Sequence, residues 1–176
     1  MADSRLGVHT FIFQQYGFDH TKQTERIAET VAKAGFGAIE FHQPVLSGDD
    51  HRNRINSAVR HNDLELIGVS HAQPLWSRAV YERLIESMDD HAERMASLGR
   101  ERLVCGLSCS GKQLAQRSDS ENDHAIEVWT ELGEIFRSHD IGLAYHNHGE
   151  PEEDIQFVLE NTDPDFVSYC ADVDWL

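Results

Sequence analysis

The sequence predicts an α/β fold of parallel β/α units curled as in a (β/α)8 barrel, truncated to about six units within a single domain, 1–176. Three observations lead there. Short apolar runs alternate with amphipathic segments of helical period along the whole chain, and parallel strands need crossovers of that kind. Ionisable residues gather at the C-terminal ends of several apolar runs, where barrel enzymes carry their chemistry. The first run does not open into a glycine-rich phosphate loop, since "FIFQQYGFDH" holds a single glycine. A doubly wound open sheet shares the alternation but concentrates its ligand at one switch point, so the spread of polar strand ends favours the barrel.

The elements follow in order. "LGVHTFIF" (6–13) is a strand pattern, and "KQTERIAETVAKAG" (22–35) a helical one, with Ile27, Ala28, Val31 and Ala34 on one face and Gly35 as its stop. "AIEFH" (38–42) is a short strand, and "DHRNRINSAVRHND" (50–63) a polar helix that turns Ile55 and Val59 inward. "LELIGVSHA" (64–72) is a third strand. The segment 77–100 is a long helix, with Val80, Leu84, Met88, Ala92 and Met95 at helical spacing, Ser77 as N-cap and Gly99 as terminator. "RLVCGLS" (102–108), "IGLAYHNH" (141–148) and "FVSYCADVDWL" (166–176) complete six strands, with helices expected over 124–140 and 152–162.

Strand alternation then sorts the side chains. In the fifth strand Ile141, Leu143 and Tyr145 face the helices, leaving Gly142, Ala144, His146 and His148 inward. The sixth strand gives Val167, Tyr169, Ala171 and Val173 to the helices and Ser168, Cys170 and Asp172 to the interior. By the same rule Ala38, Glu40 and His42 face inward from the second strand, and Gly7 and His9 from the first. The third strand is ambiguous, because His71 falls on the parity of Ile67 and Val69. Taken singly each residue has an ordinary reading: a histidine at a strand end is a hydrogen-bonded loop residue, Glu40 pairs with Arg5, Asp172 caps a turn. Their convergence on one rim suggests instead a site for Mn²⁺, Zn²⁺, Co²⁺ or Mg²⁺ with positions open to substrate oxygens.

Composition narrows the partners. Asp and Glu total 31 against 15 Lys and Arg, a formal net charge of −16 with 11 histidines counted as neutral. Such a surface repels phosphate backbones, which argues against nucleic acid. Only Lys22, Lys33 and Lys112 are lysines, a balance that suits a halophilic protein screened by concentrated salt, or an ordinary acidic cytosolic one. No apolar run is long enough for a membrane span and no leader pattern opens the chain, so a soluble cytoplasmic protein is expected. Cys105, Cys109 and Cys170 form no CxxC pair, which fits a reducing compartment.

Three stretches carry a family likeness. "AKAGFGAIEF", "SHDIGLAYHNHGE" and "VSYCADVDWL" resemble the second-, fifth- and sixth-strand segments of the xylose-isomerase-like TIM barrels, a superfamily of sugar phosphate isomerases and epimerases, inosose dehydratase and endonuclease IV. The resemblance implies a sugar isomerase or epimerase acting by metal-assisted proton transfer through an enediolate, with an inosose-dehydratase-like lyase or an inactive barrel fragment as alternatives. It makes Asp172 a metal ligand. His146 stands where relatives commonly carry a glutamate, as a ligand or an acid/base, with Glu40 as a second catalytic group and His9, His71 and His148 as substrate-binding groups. The expected partner is a small sugar or polyol, with a homo-oligomer open. Strands seven and eight have no counterpart, so the chain is expected to be a fragment or to be completed by another chain. "GLSCSGKQ" (106–113) fits the spacing of a phosphate-cradling loop, but Gln113 replaces the metal-binding hydroxyl and no convincing helix follows, so a nucleotide site is disfavoured.

Overall fold

The computed structural model describes residues 6–73, 79, 81–109 and 116–172. Six strands form one sheet in sequence order, β1 (Gly7–His9), β2 (Ala38–His42), β3 (Glu65–Gln73), β4 (Val104–Cys109), β5 (Gly142–His146) and β6 (Val167–Cys170), each parallel to its neighbours. Helices α1 (Phe11–Gln15), α2 (Thr24–Lys33), α3 (His51–His61), α4 (Tyr81–Ala96), α5 (Asp119–Ser138) and α6 (Glu152–Asn161) fill the connections. An ordered sheet of this kind, with crossovers between successive strands, is the arc of a TIM barrel with two edges left open at β1 and β6.

The helix-facing positions make the core. Ile27, Ala28 and Val31 of α2 and Leu84, Met88, Ala92 and Met95 of α4 are buried as their spacing predicts, beside Ile39, Phe41, Leu143 and Tyr145 of the strands. Trp129 of α5 packs on Tyr145 with ring centroids 5.3 Å apart, and both are fully buried. Burial of each Val, Leu, Ile, Phe or Met side chain among them contributes roughly 1.5–3 kcal/mol, so these faces hold the helices to the sheet. Gly35 and Gly99, expected to end α2 and α4, adopt positive φ just beyond them.

Three expectations need correction. The first strand is not 6–13: β1 stops at His9 and residues 11–15 coil into α1, because Thr10 turns back to hydrogen-bond β2, its N–H donating to the Glu40 carbonyl. The helix expected over 124–140 begins five residues earlier at Asp119, inside a segment that looked unhelical. Ser118 and Glu121 close a reciprocal capping box there, each side chain accepting from the other's backbone N–H, and this outweighs the polar composition. The sixth strand spans only Val167–Cys170 among the described residues. Arg5, Ser77, Val80, Lys112, Gln113 and Val173 lie outside the described residues, and with them half of the phosphate-loop match, 110–113.

The ambiguous third strand is settled by a bulge. Ile39 pairs with Leu66 but Glu40 pairs with Gly68, so β3 carries one extra residue. Gly68 is obligatory: a Cβ built on it would lie 1.8 Å from the Val104 carbonyl oxygen. After the bulge Val69 faces the helices opposite Phe41, and Ser70 joins His42 on the inner face.

Candidate functional site

The inner face is small at its middle and polar at its top. Gly7, Ala38, Gly68, Gly106 and Ala144 leave room that Glu40 reaches into, its Oε1 lying 3.2 Å from where a Cβ on Gly106 would sit. Above them, at the C-terminal strand ends, a cavity of about 260 Å³ is lined by His9, His42, Ser70, His146, His148 and Asp172, with Phe11 and Gln15 of α1 at its edge. The sequence-expected residues His9, His71, His146, His148 and Asp172 therefore meet at one mouth. Glu40 sits a layer below them.

His146, His148 and Asp172 are the tightest group. Their ligand atoms all lie within 4.8 Å of one another, and His146 Nε2 is 3.6 Å from Asp172 Oδ2. Two imidazoles and a carboxylate make a donor set suited to a divalent first-row metal, and the residues fit one without rearranging the strands. Asn147, between the two histidines, is fully buried and ties β5 to the segment after β6. Its Oδ1 accepts from the Asp172 N–H at 2.8 Å and from the Tyr169 hydroxyl at 3.0 Å, and its Nδ2 donates to the Asp172 carbonyl at 3.1 Å. Sequence reading missed Asn147, since strand parity only predicts that it faces away from the histidines.

The other imidazoles form a chain across the cup. His9 lies 6.3 Å from His146 and 6.2 Å from His42, centroid to centroid. Phe11 caps this side, edge-on to His42 at 5.0 Å. His71 packs on the buried His91 of α4 at 4.9 Å, so it forms the wall between the cup and a second cavity of about 290 Å³ on the helix side, bordered by Asp90 and Arg94. His9, His146, His148 and Asp172 line the cup and not this second cavity.

Electrostatics hold these groups uncharged. Burial, helped by neighbouring imidazoles, lowers the His9 and His42 pKa values to about 4 and that of His91 to about 3. Burial also depresses His71 and His146, the latter in spite of the opposing Asp172 charge. Glu40 moves the other way: burial alone raises it to about 7, so it exchanges its proton near neutrality. The arrangement offers imidazole nitrogens around the cup, the Asp172 side chain beside His146, and a proton-exchanging carboxyl beneath.

Comparisons with known proteins address the fold. No curated protein matches the sequence. Among solved structures, a sugar phosphate isomerase/epimerase from Parabacteroides distasonis aligns over 99% of this chain and 67% of its own, with 18% identity and TM-score 0.75. A D-psicose 3-epimerase from Clostridium cellulolyticum, solved with D-tagatose, aligns over 93% of this chain and 62% of its own at 17% identity and TM-score 0.67. A probable 3-DHS dehydratase from Bacillus anthracis aligns over 90% and 58%, with 17% identity and TM-score 0.71. The chain thus spans about three fifths to two thirds of these structures, and at such identities they share its fold. The family model described as xylose isomerase-like TIM barrel matches residues 28–176, nearly the whole described sheet, and the chain belongs to that family.

Proposed function

We propose that the chain forms the metal-bearing part of a sugar isomerase or epimerase, a cytoplasmic enzyme whose substrate is a small sugar, sugar phosphate or polyol. The observation that carries this is the convergence of His146, His148 and Asp172 beside a cavity of about 260 Å³ at the C-terminal strand ends. These three residues would hold a divalent Mn, Zn, Co or Mg ion, which when bound would polarise a substrate carbonyl. The protein's own groups supply the rest. Asn147 keeps the Asp172 backbone in place through two hydrogen bonds and is itself braced by a third from the Tyr169 hydroxyl. Glu40, with a pKa near 7, holds or returns a proton beneath the cup, and His146 is the alternative acid/base. His9 and His71 orient substrate hydroxyls from the cup's far side. Phe11 gives the C–H face of a sugar an apolar wall.

A lyase reading has the likeness to the Bacillus anthracis dehydratase in its favour, since removing a proton next to a carbonyl also begins a dehydration. Deuterium exchange separates productive from inert sites. The chain is incubated in D₂O and MnCl₂ with D-fructose, D-tagatose, D-psicose and L-ribulose, and proton NMR follows the carbons beside the carbonyl. The expected result is deuterium incorporation with at least one ketose that disappears in Asp172→Ala. An absence of exchange with all four would contradict the isomerase/epimerase assignment, and accumulation of an unsaturated product would transfer it to the lyases.

A further inference from the structure

The bulge in β3 delivers a hydroxyl between two imidazoles. Ser70 Oγ lies 2.6 Å from His9 Nε2 and 3.4 Å from His42 Nδ1, and 3.4 Å from the Phe41 carbonyl oxygen. Both rings line the cup. Their remaining nitrogens, His9 Nδ1 and His42 Nε2, make no hydrogen bond to another described residue. A hydroxyl carries one hydrogen and two lone pairs. If it donates to His9, then His42 must donate to it, and both rings carry their hydrogen on Nδ1. If it donates to His42, then His9 donates to it, and both rings carry theirs on Nε2. One shared serine thereby makes the two tautomers rise and fall together.

We propose that Ser70 couples His9 and His42 into a single proton-passing unit that moves a hydroxyl proton between neighbouring oxygens of a bound sugar. A proton leaves one substrate oxygen for the outer nitrogen of His42. His42 passes its Nδ1 proton to Ser70, Ser70 passes its own to His9 Nε2, and His9 releases its Nδ1 proton to the second substrate oxygen. One O–H bond of the substrate breaks and one forms, the electron pairs stay on their oxygens, and neither the protein nor the step as a whole changes charge. Interconverting an aldose and a ketose requires that migration, because the carbonyl and hydroxyl oxygens exchange roles. Inverting a carbon next to a carbonyl does not require it. The coupling therefore deepens the sugar-enzyme reading on which it rests, toward isomerisation. Ser70 is a positioning residue here and need not touch substrate.

The coupling is tested without metal or substrate, so its failure is separable from failure of the enzyme reading. The chain labelled with ¹⁵N-histidine is examined by NMR at pH 8, where an ordinary imidazole is already neutral. His9→Gln and His42→Gln assign the two rings. The expected result is matched tautomers, both Nδ1–H or both Nε2–H. In Ser70→Ala the match is lost and each ring reverts to its own mixture, while Ser70→Thr restores it. A mixed pair, His9 with Nε2–H and His42 with Nδ1–H, would overturn the proposal, because the serine hydrogen would then be spent on the Phe41 carbonyl. Matched tautomers that persist in a folded Ser70→Ala would overturn it too. The wild-type pattern is decisive even if the alanine variant does not fold.

Discussion

Replacing Glu40 by Gln should stabilise the protein in alkali and leave it nearly unchanged in acid. The carboxyl reaches into the barrel interior over Gly106, and burial lifts its pKa from 4.5 to about 7. The folded protein therefore holds this proton more tightly than the unfolded chain does. Stability contributed by the group is complete below pH 4.5 and is lost as pH rises through 7. At ~1.4 kcal/mol per pH unit across that interval, the ionised carboxylate costs roughly 3 kcal/mol by pH 8.5. Gln has nearly the same shape and no charge to desolvate at any pH. Urea unfolding at pH 5 and pH 8.5 reads the difference between the two proteins, and the histidines, which titrate in both, cancel from it. Glu40→Gln should gain roughly 2–3 kcal/mol more at pH 8.5 than at pH 5. A pH-independent difference, or one larger at pH 5, would refute the placement of Glu40 as a desolvated acid. Retaining so costly a residue is what a proton-handling role beneath the cup would require.

Three further substitutions or conditions test other parts of the structure. Gly68→Ala places a Cβ 1.8 Å from the Val104 carbonyl oxygen, so thermal unfolding should show a loss of about 3 kcal/mol or more, or no folded protein, and a near-neutral result would contradict the close approach of β3 to β4 at the bulge. Asn147→Ala removes the two hydrogen bonds that hold the Asp172 backbone and the third that Asn147 accepts from Tyr169, and titration with Mn²⁺ should read an affinity about 10–100-fold weaker than wild type, with unchanged affinity showing that Asp172 is held by other means. The net charge of −16 fits either a high-salt protein or an ordinary acidic one: on the first reading the thermal midpoint should climb between 0.1 and 2 M KCl, and a midpoint that is flat or falling would leave the surface an ordinary acidic one.

The alternation of strands and helices was legible because each helix buries one spaced apolar stripe, as Leu84, Met88, Ala92 and Met95 do, and each inner strand face is marked by small or polar residues. The facing of His9 and His146 followed from parity, since β1 and β5 keep an unbroken register with their neighbours, and His148 and Asp172 continue that alternation just past the ends of β5 and β6. Parity failed in β3, where the extra residue at the bulge decides the facing of everything after it, and a bulge depends on the Gly68–Val104 approach between two strands rather than on local composition. That is why Ser70 was not singled out. The early start of α5 was hidden for a related reason: the capping box of Ser118 and Glu121 is a four-residue signal within a run of polar side chains. Asn147 was invisible because its partners, the Asp172 backbone and the Tyr169 hydroxyl, lie some two dozen residues away.

The decisive measurement is calorimetric titration of the chain with Mn²⁺ and Zn²⁺, repeated for His148→Ala and Asp172→Ala with circular dichroism to verify folding. One ion per chain should bind, and either substitution should abolish stoichiometric binding while the fold persists, because His146, His148 and Asp172 present their ligand atoms within 4.8 Å of one another. No binding by the wild-type chain, or binding that survives both substitutions, would contradict a metal centre at these strand ends.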